Sequence, residues 1–177
     1  MQYWQKSLRL DGWDYRTPWF YFITVCTKNR KYYLGEIKNG RMGLSEQGCA
    51  AWFFWNQIPN HFDKVKLDSF IVMPNHVHGI IQILPDENGL NPVASCNCKM
   101  PQEKIREFGK PKAGSLSMIL NNYKGAVTRW CNLKGYEFKW QPRFHDHIIR
   151  NEKSLNRIRE YIEYNPLNWE KDSKNVM

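Results

Sequence analysis

The chain has 177 residues, of which 42% are hydrophobic and 15% aromatic, and it carries a formal net charge of +9 at pH 7. This size and composition exclude a disordered chain and predict one globular domain, residues 1–177, with a core of its own. No apolar run reaches the roughly 18 residues that a membrane-spanning helix needs, and the first residues lack the apolar core of a signal peptide. We therefore expect a cytoplasmic protein with no membrane partner.

The first half of the chain predicts a strand, a helix and a hairpin. The aromatic and β-branched residues of Trp19–Lys28 are typical of a strand. After a turn at KNGRMG, Ser45 is an N-cap for a helix that we expect to end at Pro59. The segments KVKLDSFIVM and HVHGIIQIL then predict two strands joined by a turn at Pro74-Asn75.

The second half predicts a long loop, two helices and one more strand. Residues 85–114 are rich in Pro, Gly, Asn and Lys and predict a long loop or insertion. Ser115 is the N-cap of a helix whose apolar residues recur at helical spacing. The range Phe138–Arg150 predicts a last strand, bent at Pro142, and a third helix runs from Glu152 to about Tyr164.

The order β-α-β-β-α-β-α predicts an α+β fold. We expect a ferredoxin-like βαββαβ antiparallel sheet with an appended C-terminal helix.

Two histidines lie in a run that is otherwise typical of a buried strand. His76 and His78 are at i and i+2, so on a strand their side chains share one face, about 7 Å apart at Cα. They can then converge on one metal ion or one phosphate, while Val77 points into the core. Two separately hydrogen-bonded histidines would give the same pattern.

The last helix places one tyrosine at the edge of its apolar stripe, which consists of Leu155, Ile158 and Ile162. Tyr161 lies at that edge and Tyr164 lies roughly opposite the stripe. Packing can hold the backbone of Tyr161 while its ring leans over a site, and Asn165 is its neighbour at i+4. The alternative is an ordinary amphipathic tyrosine at the rim of the core.

A second pair of histidines lies on the last predicted strand. His145 and His147 flank Asp146 and repeat the i, i+2 spacing. A second metal site is one interpretation; in the favoured one, one of these groups contacts phosphate or packs beside the first site. We assign them no catalytic role.

The second half of the chain is also the basic half. Residues 99–177 hold 16 Lys and Arg against 9 Asp and Glu, whereas residues 1–98 hold 10 against 8. This distribution indicates a polyanionic partner such as nucleic acid, although a well-solvated basic surface would give the same counts.

The segments MPNHVHGII and YIEYNP together resemble the single-tyrosine HUH transposases. The nearest branch is that of the REP-associated tyrosine transposases and their insertion-sequence relatives. HUH denotes His, a hydrophobic residue and His, here His76-Val77-His78. The resemblance covers nearly the whole chain, and the two motifs in this order and at this separation form a specific combination.

The resemblance implies a site and a reaction. A divalent metal, Mg²⁺ or Mn²⁺, would be held by His76, His78 and Asn165, where some relatives have Gln in place of Asn. Tyr161 would be the nucleophile, with Tyr164 as its rival. The reaction would be metal-dependent cleavage and rejoining of single-stranded DNA, hairpin-forming in this family, through a 5′-phosphotyrosine intermediate, which is the chemistry of DNA transposition.

Several alternatives stay open from the sequence. Relatives include monomers as well as homodimers in which the tyrosine helix acts on the partner's site. The rival functions are a non-catalytic or domesticated single-stranded nucleic-acid-binding protein of the same fold, and a metal-dependent nuclease that uses water. In each case the candidate contacts for the nucleic-acid backbone are Lys124, Arg129, Arg143 and Arg157.

Overall fold

A computed structural model of the chain describes residue 10 and residues 12–85 and 113–171. Its elements, in chain order, are β1 (Phe20–Cys26), β2 (Gly35–Lys38), β3 (Arg41–Leu44), α1 (Glu46–Asn56), α2 (Ile58–His61), β4 (Val65–Met73), β5 (His76–Ile83), α3 (Leu116–Leu133), β6 (His145–Ile148) and α4 (Glu152–Glu163). The predicted loop of residues 85–114 lies almost wholly outside this part of the chain. None of the helices described is long and apolar enough to cross a membrane.

Four strands form one antiparallel sheet in the order β4-β5-β1-β6. Strand β1 is central, and its Thr24 lies opposite His78 of β5 on one side and opposite His145 of β6 on the other. The predicted α+β class with its antiparallel sheet and final helix is therefore confirmed. The register also decides which side chains share a face, because directly opposed residues in an antiparallel pair lie side by side on the same face.

The two faces of the sheet carry different layers. Helices α1 and α3 cover one face with a large apolar core that includes Val77 of β5, as its position between the histidines predicts. On the other face, α4 packs Leu155 and Ile162 against Ile80 of β5 in a smaller apolar cluster. The histidines at positions 76 and 78 belong to this second face, and α4 is the element that approaches them.

Gly79, between His78 and Ile80, is required by the opposite layer. The Trp55 ring of α1 stacks on Phe70 of β4, with 4.4 Å between ring centroids. A Cβ atom at position 79 would lie 2.3 Å from the Trp55 ring, which is too close for any real side chain. The glycine therefore allows α1 to pack directly on the strand that carries the histidine pair.

The predicted helix starts agree with the structure because their signals are local. Ser45, Ser115 and Asn151 each accept a hydrogen bond from the backbone N–H three residues later, as N-caps do. By contrast, Pro59 does not end the helical region, since it lies in the first turn of the short helix α2, where proline is tolerated.

Two other segments differ from the prediction. The last strand is regular only over His145–Ile148, while Trp140 forms an isolated bridge with Thr27. The irregular stretch between them contains Pro142, which has no N–H to donate to a sheet. In addition, the hairpin β2–β3 lies where the sequence predicts only a turn, and Asn39 and Gly40 of that turn both have positive φ.

Candidate active site

His76 and His78 extend from β5 towards α4, and both side chains are fully buried at 0% exposure. Their rings lie 4.4 Å apart between centroids and meet edge to face. The strand thus brings both imidazoles to one point, as the i, i+2 spacing predicts. However, the expectation that this face simply presents the pair is incomplete, because other side chains cover it.

Hydrogen bonds orient each ring. His76 Nδ1 lies 2.8 Å from Oδ1 of the buried Asn75, and since an amide oxygen only accepts, the ring proton is on Nδ1 and Nε2 carries the lone pair. His78 Nδ1 lies 2.8 Å from Thr24 Oγ1, and its Nε2 lies 3.2 Å from the Tyr161 hydroxyl. This pattern, in which one ring nitrogen is held and the other is directed into the site, is typical of histidines that bind metals.

Tyr161 reaches the pair from α4. Its ring packs edge-on against Phe22 of β1, which itself stacks on His78 at 5.2 Å between centroids. Tyr161 is still 42% exposed, so its ring contacts solvent on one side and the buried imidazole of His78 on the other. Tyr164 is 51% exposed at the end of α4, and among the contacts described its side chain makes none with either histidine.

An ion pair fixes α4 to the sheet. Arg159 donates to both carboxylate oxygens of Asp68 on β4, with Nε–Oδ1 at 2.9 Å and Nη2–Oδ2 at 2.6 Å. The hydrogen bonds from Arg159 lower the pKa of the Asp68 carboxyl. This two-point contact holds the helix two residues before Tyr161 and so restricts where the phenol can lie.

The residues that follow α4 close over the pair. Trp169 stacks on His76, with 6.0 Å between ring centroids, and also meets Tyr32. In the same segment the Leu167 side chain lies directly over Gly40, where a Cβ atom would come 2.6 Å from Leu167 Cδ2. We call residues 165–169 the cover, because they bury the imidazole that Tyr161 does not contact.

Asn165 begins the cover and is itself 3% exposed. Its Oδ1 atom is buried and has no hydrogen-bond partner within residues 12–85 and 113–171. The same residues contain no group of three or more His, Cys, Asp and Glu side chains that could hold a metal. Asn165 Oδ1 is therefore a buried acceptor that none of the described residues satisfies.

No protein-family model matches this chain, but individual proteins are similar to it. It is 38% identical over 172 residues to an uncharacterized protein of Haemophilus influenzae, and the matched region covers 95% of this chain and 91% of that protein. It is 24% identical over 159 residues to a "Putative REP-associated tyrosine transposase" of the same organism, covering 87% of this chain and 73% of that one. The chain is thus similar to a REP-associated tyrosine transposase over most of the length of both proteins.

A solved structure shares the fold. The solved structure of a REP-associated tyrosine transposase bound to a REP hairpin superposes with a TM-score of 0.60 at 21% identity, covering 93% of this chain and 74% of that chain. The two proteins therefore share the sheet and helix arrangement described above.

The four basic residues predicted to contact nucleic acid lie in different parts of the structure. Lys124 of α3 donates from Nζ to the carbonyls of Gln141 and Pro142, at 2.6 and 3.3 Å, and burial lowers its pKa to about 8. It thus holds the irregular stretch before β6. Arg129 is exposed on α3, in the layer opposite the histidines, whereas Arg143 and Arg157 are exposed beside β6 and on α4.

Sequence reasoning missed the residues that orient and cover the pair. Thr24 is a polar residue inside the apolar run FYFITVC, which is a signal in itself, but its partner is known only once β1 and β5 are in register. Pro74-Asn75 forms the predicted turn, but the sequence does not show that the Asn75 side chain also holds His76. Trp169 follows the last predicted helix, and nothing in its spacing indicates that it folds back.

Proposed function

We propose that this protein is a transposase that cleaves and rejoins single-stranded DNA by metal-dependent transesterification, with Tyr161 as the nucleophile. The observation that carries this proposal is the 3.2 Å contact between the Tyr161 hydroxyl and His78 Nε2, within one chain. It brings the half-exposed phenol to the two histidines of the HUH motif. An amphipathic tyrosine that only closes the core would not need to direct its hydroxyl at a buried imidazole.

The metal would be held by His76, His78 and Asn165. Their chemistry fits, because His76 Nε2 carries a lone pair and the buried Asn165 Oδ1 lacks a partner among the residues described. When bound, a divalent cation would polarise the scissile phosphate and offset the charge that develops on it. Imidazole ligands favour Mn²⁺ over Mg²⁺, while the amide oxygen suits both, so we expect either ion to support activity.

Tyr161 supplies the covalent chemistry. Its oxygen forms a bond to the backbone phosphorus, the bond from phosphorus to the 3′ oxygen breaks, and that oxygen keeps the electron pair and takes up a proton. The phenolic proton leaves to solvent on the exposed side of the ring. The products are a 5′-phosphotyrosine link and a free 3′-hydroxyl, and attack by a 3′-hydroxyl on that link joins strands without a nucleotide cofactor.

The proposed partner is single-stranded DNA with a hairpin. The fold neighbour at TM-score 0.60 is bound to a REP hairpin, and the net charge of this chain is +9. Because Tyr161 contacts the histidine of its own chain, the geometry supports a monomer that acts in cis rather than a dimer that exchanges its tyrosine helices.

A non-catalytic DNA-binding protein is the second candidate. The observation in its favour is that both imidazoles have 0% exposure, so neither an ion nor a phosphate reaches them while Trp169 and Tyr161 stay in place. Catalysis therefore requires the cover to move, and binding alone does not.

One experiment separates these readings. The protein is incubated with labelled hairpin-bearing single-stranded DNA and Mn²⁺, and the products are resolved on a denaturing gel. We expect a covalent protein–DNA band for the unaltered protein and for Tyr164→Phe, the matched control, and no band for Tyr161→Phe. Cleavage without a covalent band would indicate a nuclease that uses water, and binding without cleavage would indicate the non-catalytic protein.

A further inference from the structure

Four of the five histidines of this chain lie on one face of the sheet. His145 of β6 is opposite Thr24, and His147 is opposite Phe22. Thr24 and Phe22 both contact His78, so they define the face that carries the HUH histidines. Since opposed residues share a face, the second pair of histidines lies beside the first, with β1 between them.

The second pair lies on an accessible part of that face. Helix α4 packs against β4, through contacts such as Arg159–Asp68, and its apolar residues also reach Ile149, which directly follows β6. His145 and His147 are exposed, while Asp146 between them belongs to the opposite face of the strand. The resulting surface has Tyr161 on one side, the ring of Phe22 in its floor and the two imidazoles on the other side.

We infer that His145 and His147 bind a phosphate of the DNA backbone that is adjacent to the scissile phosphate. They are positioning residues, because this contact would place the scissile phosphate for the attack by Tyr161. An imidazole donates an N–H to a phosphate oxygen, and a bond to an anion is stronger than one between neutral groups. Exposed Arg143 and Arg150 bracket the strand and add positive charge along the same edge.

A second metal site fits these two residues less well. Two exposed imidazoles give only two ligands, and the part of the chain described contains no group of three or more His, Cys, Asp and Glu residues that could hold an ion. An anion needs only donors on an accessible surface, which the pair provides. The inference rests on the proposed function, because the phosphate in question belongs to the strand that Tyr161 would attack.

The test combines protein variants with neutral phosphates in the DNA. Binding is measured in the Tyr161→Phe background, so that no cleavage occurs, on hairpin DNAs that each carry one uncharged methylphosphonate near the cleavage position. We expect about 10-fold weaker binding when the contacted phosphate is neutralised. Adding His145→Asn and His147→Asn should abolish this loss at that position and leave the losses at other positions unchanged.

His61→Asn is the matched control, since His61 is exposed on the distant helix α2. It should preserve the full pattern. Should His145→Asn with His147→Asn fail to fold, each single variant provides the same measurement. If every methylphosphonate has the same effect with and without the two histidines, the inference is wrong.

Failure of the inference differs from failure of the proposed function. Absence of a covalent band from the unaltered protein on unmodified DNA would contradict the function itself. A covalent band together with an unchanged methylphosphonate pattern would contradict only the role of His145 and His147.

Discussion

At the scale of single residues, Asn165 has an unusual environment. A buried acceptor without a partner costs about 1–3 kcal/mol of stability, and Asn165 Oδ1 is such an acceptor among the residues described. A bound ligand would satisfy this atom, and a divalent cation is the ligand that we propose.

We therefore expect opposite effects from Asn165→Leu, which keeps a similar shape without the oxygen. The free energy of unfolding of the metal-free protein should rise by about 1 kcal/mol, because the unsatisfied acceptor is gone. Mn²⁺ affinity, measured by calorimetry, should fall by about 10-fold or more. Unchanged Mn²⁺ affinity would remove Asn165 from the ligand set.

Thr24 is the second residue with a defined role at this scale, because its hydroxyl holds His78 Nδ1. Thr24→Val removes that hydrogen bond without changing the shape of the side chain, so we expect covalent-band formation in a single turnover to slow by about 10-fold. Thr128→Val is the control, since Thr128 bonds only to the backbone of α3 within the contacts described. Equal rates for the two variants would contradict this role.

The residue scale also shows what the sequence could predict of the site. Strand periodicity predicts that His76 and His78 lie on the same face of their strand. Helix periodicity predicts that Tyr161 lies at the edge of the apolar stripe of α4. Both are local properties of the sequence. Thr24 depends on the register between two strands far apart in the chain. Trp169 depends on how an irregular segment turns back, and no periodicity describes that.

At the scale of elements, the position of α4 depends on one ion pair. Asp68→Asn should reduce the free energy of unfolding by about 1 kcal/mol at neutral pH, a small value because both groups are partly solvent-screened. Arg159 lowers the pKa of folded Asp68, so its contribution is present above the unfolded pKa of about 3.9 and is lost as the pH falls through the lower, folded value.

Urea unfolding of both proteins at neutral pH and at about pH 2 checks the sign of this dependence. The difference between wild type and Asp68→Asn should shrink as the pH falls through the lowered pKa of folded Asp68, because the carboxyl then becomes protonated in the folded state as well. A difference that persisted there would mean that Asp68 stabilises the helix by something other than its charge.

The cover is the other element whose role can be measured. Trp169→Ala should expose His76, because the indole is stacked directly on that imidazole. We expect faster modification of His76 by diethylpyrocarbonate, read by mass spectrometry. Trp52→Ala is the control, since Trp52 is exposed on α1 in the opposite layer. Equal protection of His76 in both variants would show that Trp169 does not limit access.

At the scale of the whole molecule, the order of elements was predictable and the hairpin β2–β3 was not. Ser45 and Ser115 identify helix starts by their own side chains, and apolar runs identify β1, β4 and β5. Strands β2 and β3 have only four residues each and are largely exposed, so they lack the apolar alternation that predicts a strand.

The arrangement of the layers predicts that DNA binds on the side of the sheet that carries α4 and β6, and not on the α3 layer. Arg143→Gln and Arg157→Gln should each weaken binding and reduce the slope of log affinity against log salt by about 0.7, the value for one single-strand phosphate. Arg129→Gln on the α3 layer should leave the slope unchanged. Titrations at several salt concentrations measure this, and equal slopes for all three variants would mean that DNA does not run along the α4 and β6 side.

The cover and Tyr161 belong to one continuous stretch of chain. Tyr161 lies in the last turn of α4, which ends at Glu163, and Trp169 follows six residues later. Under the proposed function, moving the indole away from His76 would also act on the last turn of α4, from which Tyr161 extends. Metal binding and the position of the phenol would then be linked. A variant fixed in an open state would misplace the phenol, and a variant fixed in a closed state would not bind the ion.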